Sequence, residues 1–272
     1  MSAPSGVMLG RERQRRLSQR LIERGSIRVG EEARSFGVSG ETIRRDIKAL
    51  VAAGIATPVF GGAVLRPGLL ASAMQLPPVT EREVIEHRAK NAIGAAAARR
   101  IQSGQVVILD AGTTTLSIAR HLGDHRNLTV VTNSLAIAQV TAGLPTCTTY
   151  VIGGKLVTGS LSMVGPQARR DLAGITADWA FLGVAAVGVG GDFASADPEE
   201  AEVKQSMIRA ARAAAIVADH TKFAARGFVA FAAAREVQML FTTPGAPAGR
   251  LRAMRKASVT VEICSEEEHA VA

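Results

Sequence analysis

Aromatic residues are scarce in this 272-residue sequence, which has one Trp, one Tyr and eight Phe. Proteins that bind unpaired RNA stack bases on aromatic side chains, so this scarcity argues against that class. The two cysteines, Cys147 and Cys264, are too few for a disulfide scaffold or a cysteine zinc cluster and indicate a reducing compartment. Residues 1–10 lack a signal-peptide pattern, and the uncharged stretches 49–65 and 179–191 are broken or too short to span a membrane. We therefore expect a cytoplasmic protein that has no membrane segment and binds no metal and no cofactor.

Charge is distributed unevenly along the chain. Hydrophobic residues make up 47% and charged residues 21%, a composition typical of folded domains rather than disordered chains. The net charge is +8, but residues 1–66 hold twelve Lys and Arg against six Asp and Glu, while the remainder holds twenty against eighteen. A basic excess confined to the first quarter indicates a polyanion partner for that part of the chain.

The length and the pattern of hydrophobic runs predict two domains joined by a linker. Residues 66–80 contain three prolines and a glycine without an apolar period, which is typical of a linker. From residue 81 onward, short β-branched runs alternate with helical stretches, which predicts an α/β fold with a parallel sheet. The predicted strands are Val106–Asp110, Leu128–Asn133, Thr148–Ile152, Ala180–Val184, Ala215–Asp219, Met239–Thr242 and Val259–Cys264, and the predicted helices are Thr115–Leu122, Ser134–Ala142, Gln167–Ala173 and Glu199–Ala211.

Residues 11–53 have the pattern of three short helices. The predicted bounds are Arg11–Arg24, Gly30–Phe36 and Gly40–Ala53. The last two are joined by a tight Gly-Val-Ser turn, and Ser39 is a suitable N-cap for the third. Two helices joined by a short glycine-containing turn are typical of a helix-turn-helix.

The third helix has two different faces. Ile43, Ile47 and Leu50 share one face and predict its buried side. The exposed side near its N-terminus is where a recognition helix contacts bases and phosphates. The alternative is an ordinary amphipathic helix with a solvated charged face. The preceding turn, the N-cap and the local positive charge argue against this alternative. The candidate DNA contacts on this helix and its cap are Ser39, Glu41, Thr42, Arg44, Arg45 and Lys48.

Residues 25–62, and the segment GVSGETIRRDIKAL in particular, resemble the winged helix-turn-helix of DeoR-family bacterial transcriptional regulators. The following VFGGAV segment resembles that family's wing, in which Gly61 and Gly62 make the turn and join the candidate DNA contacts. Pro58 and Phe60 stand where the family pattern has an arginine and a histidine.

The segment VVILDAGTTTL is a predicted strand that leads through a loop into a helix. Asp110 ends the strand, Gly112 gives the loop flexibility, and Thr113, Thr114 and Thr115 supply hydroxyls. Backbone N–H groups at a helix N-terminus together with hydroxyl donors bind anions, above all phosphate. A capped helix start without a ligand is the alternative. The next predicted strand also ends in polar residues, including Asn133, and ligands of open α/β sheets bind at that edge.

The resemblance to DeoR regulators extends over this second region through DAGTTT, TNSLAIA, GGK, DWAFLG, EAEVK and DHTKF. It implies a sensor domain with a fold like that of ribose-5-phosphate isomerase, which binds a phosphorylated sugar. By spacing alone, Glu200 and Lys204 form an ion pair on a helix surface. The resemblance instead implies an effector site made of Asp110, Gly112, Thr113, Thr114, Thr115, Asn133, Gly153, Gly154, Asp178, Glu200, Lys204 and Lys222.

These observations predict a DNA-binding repressor of a sugar catabolism operon. Residues 1–65 would be the winged helix-turn-helix, residues 66–80 the linker, and residues 81–272 the effector-binding and oligomerisation domain. The expected partners are double-stranded operator DNA, a phosphorylated sugar that releases it, and one or three further copies in a homodimer or homotetramer. The alternative is a sugar-phosphate isomerase with an accessory DNA-binding head, which would need an acid and a base within reach of the substrate.

Overall fold

The computed structural model describes residues 13–14, 16–17, 20–21, 26–52, 56–65 and 77–265. The chain divides into two compact units, Met1–Gln75 and Leu76–Ala272. Most of the predicted linker, residues 66–76, lies outside the described residues, and so do Ile22 and Ala53 at the ends of two predicted helices. Within the described ranges, every helix is too short or too polar to cross a membrane.

The first unit is a small helical head with a three-stranded antiparallel sheet. Its elements are β1 (Ser26–Arg28), α1 (Val29–Phe36), α2 (Gly40–Ala52), β2 (Ala56–Val59) and β3 (Gly62–Leu65). The sheet has the order β1-β3-β2, so the β2–β3 hairpin forms a wing beside the helices. The last two predicted helices of this region are confirmed, and the described residues of the first, 13–14, 16–17 and 20–21, are helical. The core of this unit is formed by Leu17, Leu21, Ile27, Ile43, Ile47, Leu50, Ala56 and Ala63.

The second unit is built on a parallel sheet, as the alternating pattern predicted. Its seven strands, among the described residues, lie in the order β6-β5-β4-β9-β12-β14-β15, and every neighbouring pair is parallel. The strand bounds are β4 (Val106–Leu109), β5 (Leu128–Thr132), β6 (Cys147–Val151), β9 (Ala177–Gly183), β12 (Ala211–Val217), β14 (Met239–Thr242) and β15 (Thr260–Ile263).

Helices cover both faces of this sheet, because the side chains of each strand alternate between two hydrophobic clusters. In β4, Ile108 packs on one side, while Val107 and Leu109 pack on the other. Helices α7, α8 and α9 pack on the first face, and α4, α5 and α6 on the second. The helix bounds are α3 (Val79–Val84), α4 (His87–Ala98), α5 (Thr113–Arg120), α6 (Leu135–Ala142), α7 (Pro166–Ala173), α8 (Pro198–Arg209) and α9 (Ala248–Lys256).

Several short elements complete the second unit. They are the hairpin β7 (Lys155–Val157) and β8 (Ser162–Val164), the antiparallel strands β10 (Ala186–Val187), β11 (Asp192–Ser195) and β13 (Val229–Ala233), and 3-10 turns at His220–Phe223 and Ala234–Glu236.

The strand order reverses between β4 and β9. From β4 the chain adds β5 and β6 toward one edge, then returns to the other side of β4 to add β9, β12, β14 and β15. The connections leaving β4 and β9 therefore run to opposite faces, which opens a crevice at the carboxyl ends of these two strands. Open parallel sheets bind ligands at such a switch point.

Candidate functional site

The exposed face of α2 carries the candidate DNA contacts. Ser39 Oγ accepts a hydrogen bond from the Thr42 backbone N–H at 3.2 Å, so Ser39 caps the helix as predicted. Arg44 and Glu41 form an exposed ion pair at 3.1 Å, which is too solvated to contribute much stability. The other exposed cations of the face are Arg45 and Lys48. The face thus offers two guanidinium groups and one ammonium group to a polyanion.

Two buried carboxylates hold the first helix against the rest of the head. Asp46 accepts hydrogen bonds from Arg13 Nε at 2.6 Å and Gln14 Nε2 at 3.0 Å, and Glu32 accepts one from Arg20 at 2.6 Å. Asp46 was not among the residues singled out from the sequence. The signal was its position three residues after Ile43, which places it on the buried side of α2. Both carboxylates keep their charge partners although they are almost fully buried.

The wing turn needs both of its glycines. Gly61 has a φ of +78°, a left-handed conformation that favours glycine, and its carbonyl accepts a hydrogen bond from the Val29 N–H at 2.9 Å. A Cβ atom at Gly62 would lie 2.1 Å from the backbone carbonyl oxygen of Ile27. The two glycines therefore shape the hairpin and hold it close to β1.

A cavity of about 140 Å³ lies in the crevice at the switch point of the second unit. Residues from six segments that are distant in sequence line it, because the crevice collects the loops that follow several strands. Its lining consists of Pro77, Arg82, Ile85, Lys90, Ala111, Gly112, Thr113, Thr114, Ser160, Gly183, Val184, Ala185, Ser195, Glu200, Lys204, Asp219, Thr221 and Lys222.

A buried ion pair forms one wall of the cavity. Lys204 Nζ contacts Asp110 Oδ2, which also accepts the Gly183 N–H at 3.0 Å, and Lys204 donates a second hydrogen bond to the Gly183 carbonyl at 3.0 Å. Burial raises the pKa of the Asp110 carboxyl, while the Lys204 ammonium opposes that shift. The pair thus connects α8 to the ends of β4 and β9.

Glu200 does not pair with Lys204, so the ion pair predicted from their spacing is wrong. The Glu200 carboxylate instead accepts hydrogen bonds from the Ser162 hydroxyl at 3.2 Å and the Ser195 hydroxyl at 3.3 Å. Lys204 turns inward to Asp110, a residue 94 positions earlier in the chain. The i, i+4 spacing placed both residues on one helix but carried no information about the partner across the crevice.

The threonine loop begins α5 with free space at its N-terminus. Gly112 is the N-cap residue, and no side chain among the described residues caps this helix. Thr113 and Thr114 line the cavity, whereas Thr115 is buried and donates its hydroxyl to the Gly112 carbonyl at 2.9 Å. Asn133 braces the loop from below, since its Oδ1 accepts the Ala111 N–H at 3.0 Å. Thr115 and Asn133 therefore position the loop and do not line the cavity.

Three further cations face the cavity: Arg82, Lys90 and Lys222. Lys90 is almost fully buried, its ammonium donates hydrogen bonds to the carbonyls of Arg82 and Ile85, and burial lowers its pKa to about 8. Burial also lowers the pKa of the Arg82 guanidinium, an effect that the carboxylates of Glu200 and Asp110 oppose. The lining is thus rich in cations whose burial makes a bound anion favourable.

Asp219 and Thr221 complete the cavity beside Lys222 and were not among the predicted site residues. Asp219 accepts the Thr221 N–H at 2.9 Å and the Thr221 hydroxyl, which holds the turn after β12 in place. The sequence signal was their place at the end of a predicted strand and directly after it, where polar groups of a parallel sheet converge.

The structure places three predicted site residues, Asp178, Gly153 and Gly154, outside the lining of this cavity. Asp178 is the second residue of β9, where it accepts the Val106 N–H at 2.9 Å. Gly183 at the carboxyl end lies five positions further along the strand, a distance of about 16 Å. Gly153 and Gly154 follow the edge strand β6 and lead into the β7–β8 hairpin, and Gly154 lies against the backbone of Val164.

Comparison with known proteins connects both units to one family. The DeoR C-terminal sensor domain matches residues 85–243, and the DeoR-like helix-turn-helix domain matches residues 13–66. The HTH-type transcriptional repressor CsqR of Escherichia coli K12 is 31% identical, with 96% of this chain and 98% of the relative covered. The HTH-type regulator GlpR of Haloferax volcanii is 31% identical over 93% of this chain and 98% of its own.

Two further proteins align with more divergence. The glycerol-3-phosphate regulon repressor of Escherichia coli K12 is 25% identical over 89% of this chain and 94% of its own. A ribose-5-phosphate isomerase from Methanocaldococcus jannaschii aligns with a TM-score of 0.37 and 14% identity over 51% of this chain and 55% of its own. The family matches and the regulators decide the classification, and the isomerase alternative is set aside. The chain belongs to the DeoR family of DNA-binding transcriptional repressors and is not an enzyme.

Proposed function

We propose that this repressor controls a sugar or carbohydrate catabolism operon and that a phosphorylated sugar, bound in the switch-point cavity, releases it from its operator. One observation carries the proposal: three cations, Arg82, Lys90 and Lys222, face the same cavity as the uncapped N-terminus of α5. Backbone N–H groups at a helix N-terminus and nearby cations together form a site for a phosphate dianion.

Other groups of the cavity lining are suited to hydroxyl groups. They are the Glu200 carboxylate, the Ser195 hydroxyl and the Ser160 hydroxyl, which accept or donate the hydrogen bonds that a polyol offers. A ligand with a phosphate and several hydroxyls satisfies both sets of groups. Among the relatives, one is named for a glycerol-3-phosphate regulon, which is consistent with an effector of this chemistry.

The effector cavity includes the part of the second unit that follows the linker. Pro77, Arg82 and Ile85 line the cavity, and they precede or lie beside α3, the first helix of this unit. A ligand that contacts this segment stabilises one conformation of the residues that follow the linker in the sequence. Because only a difference in affinity shifts an equilibrium, the effector must bind better to the arrangement that holds DNA poorly.

The head contacts DNA through α2 in the major groove, with Arg44 and Arg45 on phosphates or guanine edges and Glu41 on a cytosine amino group. Two or four copies present paired heads to repeated half-sites. We assign residues 1–65 to the head, 66–80 to the linker and 81–272 to the sensor. The sensor thereby carries the contacts between copies as well as the effector.

A thermal-shift screen of the full chain against sugars and their phosphates tests the proposal. A ligand at 100 times its Kd stabilises the folded state by about 2.7 kcal/mol. For a unit of this size that raises the Tm by roughly 5–11 °C. We expect a shift with one class of sugar phosphate and none with the matching unphosphorylated sugar. The same compound should release the chain from DNA in a fluorescence-anisotropy titration.

Paired variants identify the site. Lys222→Met removes a cation of the cavity and should abolish the shift, whereas Lys256→Met removes an exposed cation at the end of α9 and should leave it unchanged. If no phosphorylated sugar stabilises the chain, or if Lys222→Met responds like the parent, the proposed effector site is wrong.

A further inference from the structure

The wing contains no charged residue. Residues 56–65 read ATPVFGGAVL, so the hairpin has no cation for a phosphate, and Pro58 also lacks a backbone N–H. A DNA-binding wing with this sequence cannot gain affinity from ion pairs of its own. Any contribution that it makes must come from apolar contact or from the few free backbone groups.

The tip of this hairpin exposes its largest apolar side chain. Phe60 is fully exposed and Val59 is 47% exposed, although both belong to residue types that normally lose water on folding. A Phe ring in water forgoes a substantial hydrophobic gain, and its burial against a partner recovers that gain. The exposed ring therefore favours a partner with an apolar or stacked surface.

The hairpin is fixed by its pairing within the unit that contains the recognition helix. Val59 pairs with Gly62 across the hairpin, and the close approach of Gly62 to Ile27 fixes the turn against β1. Strand β2 also packs on α2 within the same unit. Arg28, exposed at the end of β1, lies opposite Gly62 in the sheet and supplies a cation beside the turn that carries Phe60. The wing thus presents an apolar tip next to a cation that suits a DNA phosphate, in the unit that also carries the cationic face of α2.

We propose that Phe60 is an apolar wedge that enters the DNA minor groove beside the major groove occupied by α2. Proteins of many folds insert Phe, Leu, Ile, Met or Pro between base steps from the minor groove and partly unstack them. Arg28 then contacts the adjoining phosphate, while the ring contacts sugars and base edges. Because flexible TA and CA/TG steps unstack most readily, Phe60 selects such a step at a fixed distance from the bases read by α2.

The salt dependence of DNA binding distinguishes a wedge from a cationic contact. The probe is a duplex recovered by the full chain from a random-sequence pool, and its Kd is measured at several salt concentrations. Phe60→Ala should weaken binding about tenfold with an unchanged salt slope, because it removes apolar contact and no phosphate contact. Phe60→Lys should weaken binding at high salt and steepen the slope by about 0.9 per copy bound, the signature of one added phosphate contact.

A direct measurement reports the unstacking itself. 2-Aminopurine placed at successive positions of the probe should brighten at one step with the parent chain and stay dark with Phe60→Ala. Phe228→Ala, which removes an exposed Phe of the second unit, should match the parent in both assays. The full exposure of Phe60 predicts that its replacement leaves the Tm unchanged, so a loss of affinity does not reflect unfolding.

Two results would overturn the proposal. One is equal affinity of Phe60→Ala and the parent for the selected duplex at every salt concentration. The other is a change in oligomeric state on Phe60→Ala without a loss of 2-aminopurine brightening, since that result assigns the ring to contact between copies. Both are independent of the effector, so the proposed effector site stands or falls separately.

Discussion

Replacing Asp110 with Asn removes one charge from the buried pair with Lys204 and tests how the sensor unit is held together. Both residues are at least 95% buried, and Asp110 also accepts the Gly183 N–H at 3.0 Å. The Asn side-chain carbonyl can keep the bond to Gly183, so the main change is an uncompensated ammonium. Lys204 then retains only the Gly183 carbonyl and the ring of Phe231, whose centroid lies 5.6 Å from Nζ.

The magnitude follows from the cost of an unpaired buried charge. Removing one member of a buried ion pair destabilises a protein by about 3–5 kcal/mol. In a unit of roughly 200 residues, each kcal/mol lowers the Tm by about 2–4 °C, so we expect a fall of roughly 6–20 °C. Lys204→Met should cost a similar amount at neutral pH. The combined variant removes both charges and leaves only the Gly183 carbonyl without its donor, at about 1–3 kcal/mol.

Trp179 is the single Trp of the sequence, and its position in β9 makes its fluorescence a reporter of the second unit alone. Urea denaturation followed at Trp179 gives the free energy of unfolding for the parent, the two single variants and the double variant. We expect the double variant to lose much less stability than the two single variants lose together. The reason is that each single variant leaves one buried charge without its partner, and the double variant contains no such charge. Additive losses would show that Asp110 and Lys204 do not act as a pair.

Two further predictions concern titration and the head. Because the pKa of Lys90 is about 8, binding of a phosphate above that pH should raise the pKa and draw a proton onto Lys90. Calorimetry in two buffers of different ionisation enthalpy should show proton uptake on binding at pH 9 and little at pH 7. Equal binding heats in the two buffers at pH 9 would contradict this prediction. Asp46→Ala leaves the guanidinium of Arg13 without its carboxylate and should lower the stability of the head by about 1–3 kcal/mol, measured by hydrogen exchange of α2. Glu41→Ala breaks an exposed ion pair and should lower the same stability by under about 1 kcal/mol. Equal losses of stability would refute the assigned burial of Asp46.

Local patterns predicted most elements of both units because each pattern depends on residues close in sequence. The β-branched runs marked all seven strands of the parallel sheet, and Met239–Thr242 has the same bounds in the structure as in the prediction. The face of Ile43, Ile47 and Leu50 is buried as the helical period requires. Helix α4 was missed, since its alanine-rich sequence is buried on nearly all sides and has no apolar stripe.

Pairings across the sheet were not predictable from these patterns. The predicted strands already placed Asp110 at a carboxyl end and Asp178 before an amino end, so the family resemblance and not the strand pattern put Asp178 in the effector site. The observed β9, which begins at Ala177, keeps Asp178 at the amino end. The partner of Asp110 is Lys204, which lies 94 positions later in the chain, and no local pattern connects the two.

Net charge indicates the DNA-binding head of this protein but not the proposed effector site. The head has a large basic excess, and its cations on α2 are exposed. The second unit is nearly neutral, yet its cavity gathers Arg82, Lys90, Lys204 and Lys222 against the carboxylates of Glu200 and Asp219. Dissolved salt screens exposed charges far more than buried ones. Raising the ionic strength should therefore detach the head from DNA at salt concentrations at which the proposed sensor site still holds its effector. Both sites attract anions through positive charge, but the cations of the head are exposed to salt and those of the cavity are buried or half-buried.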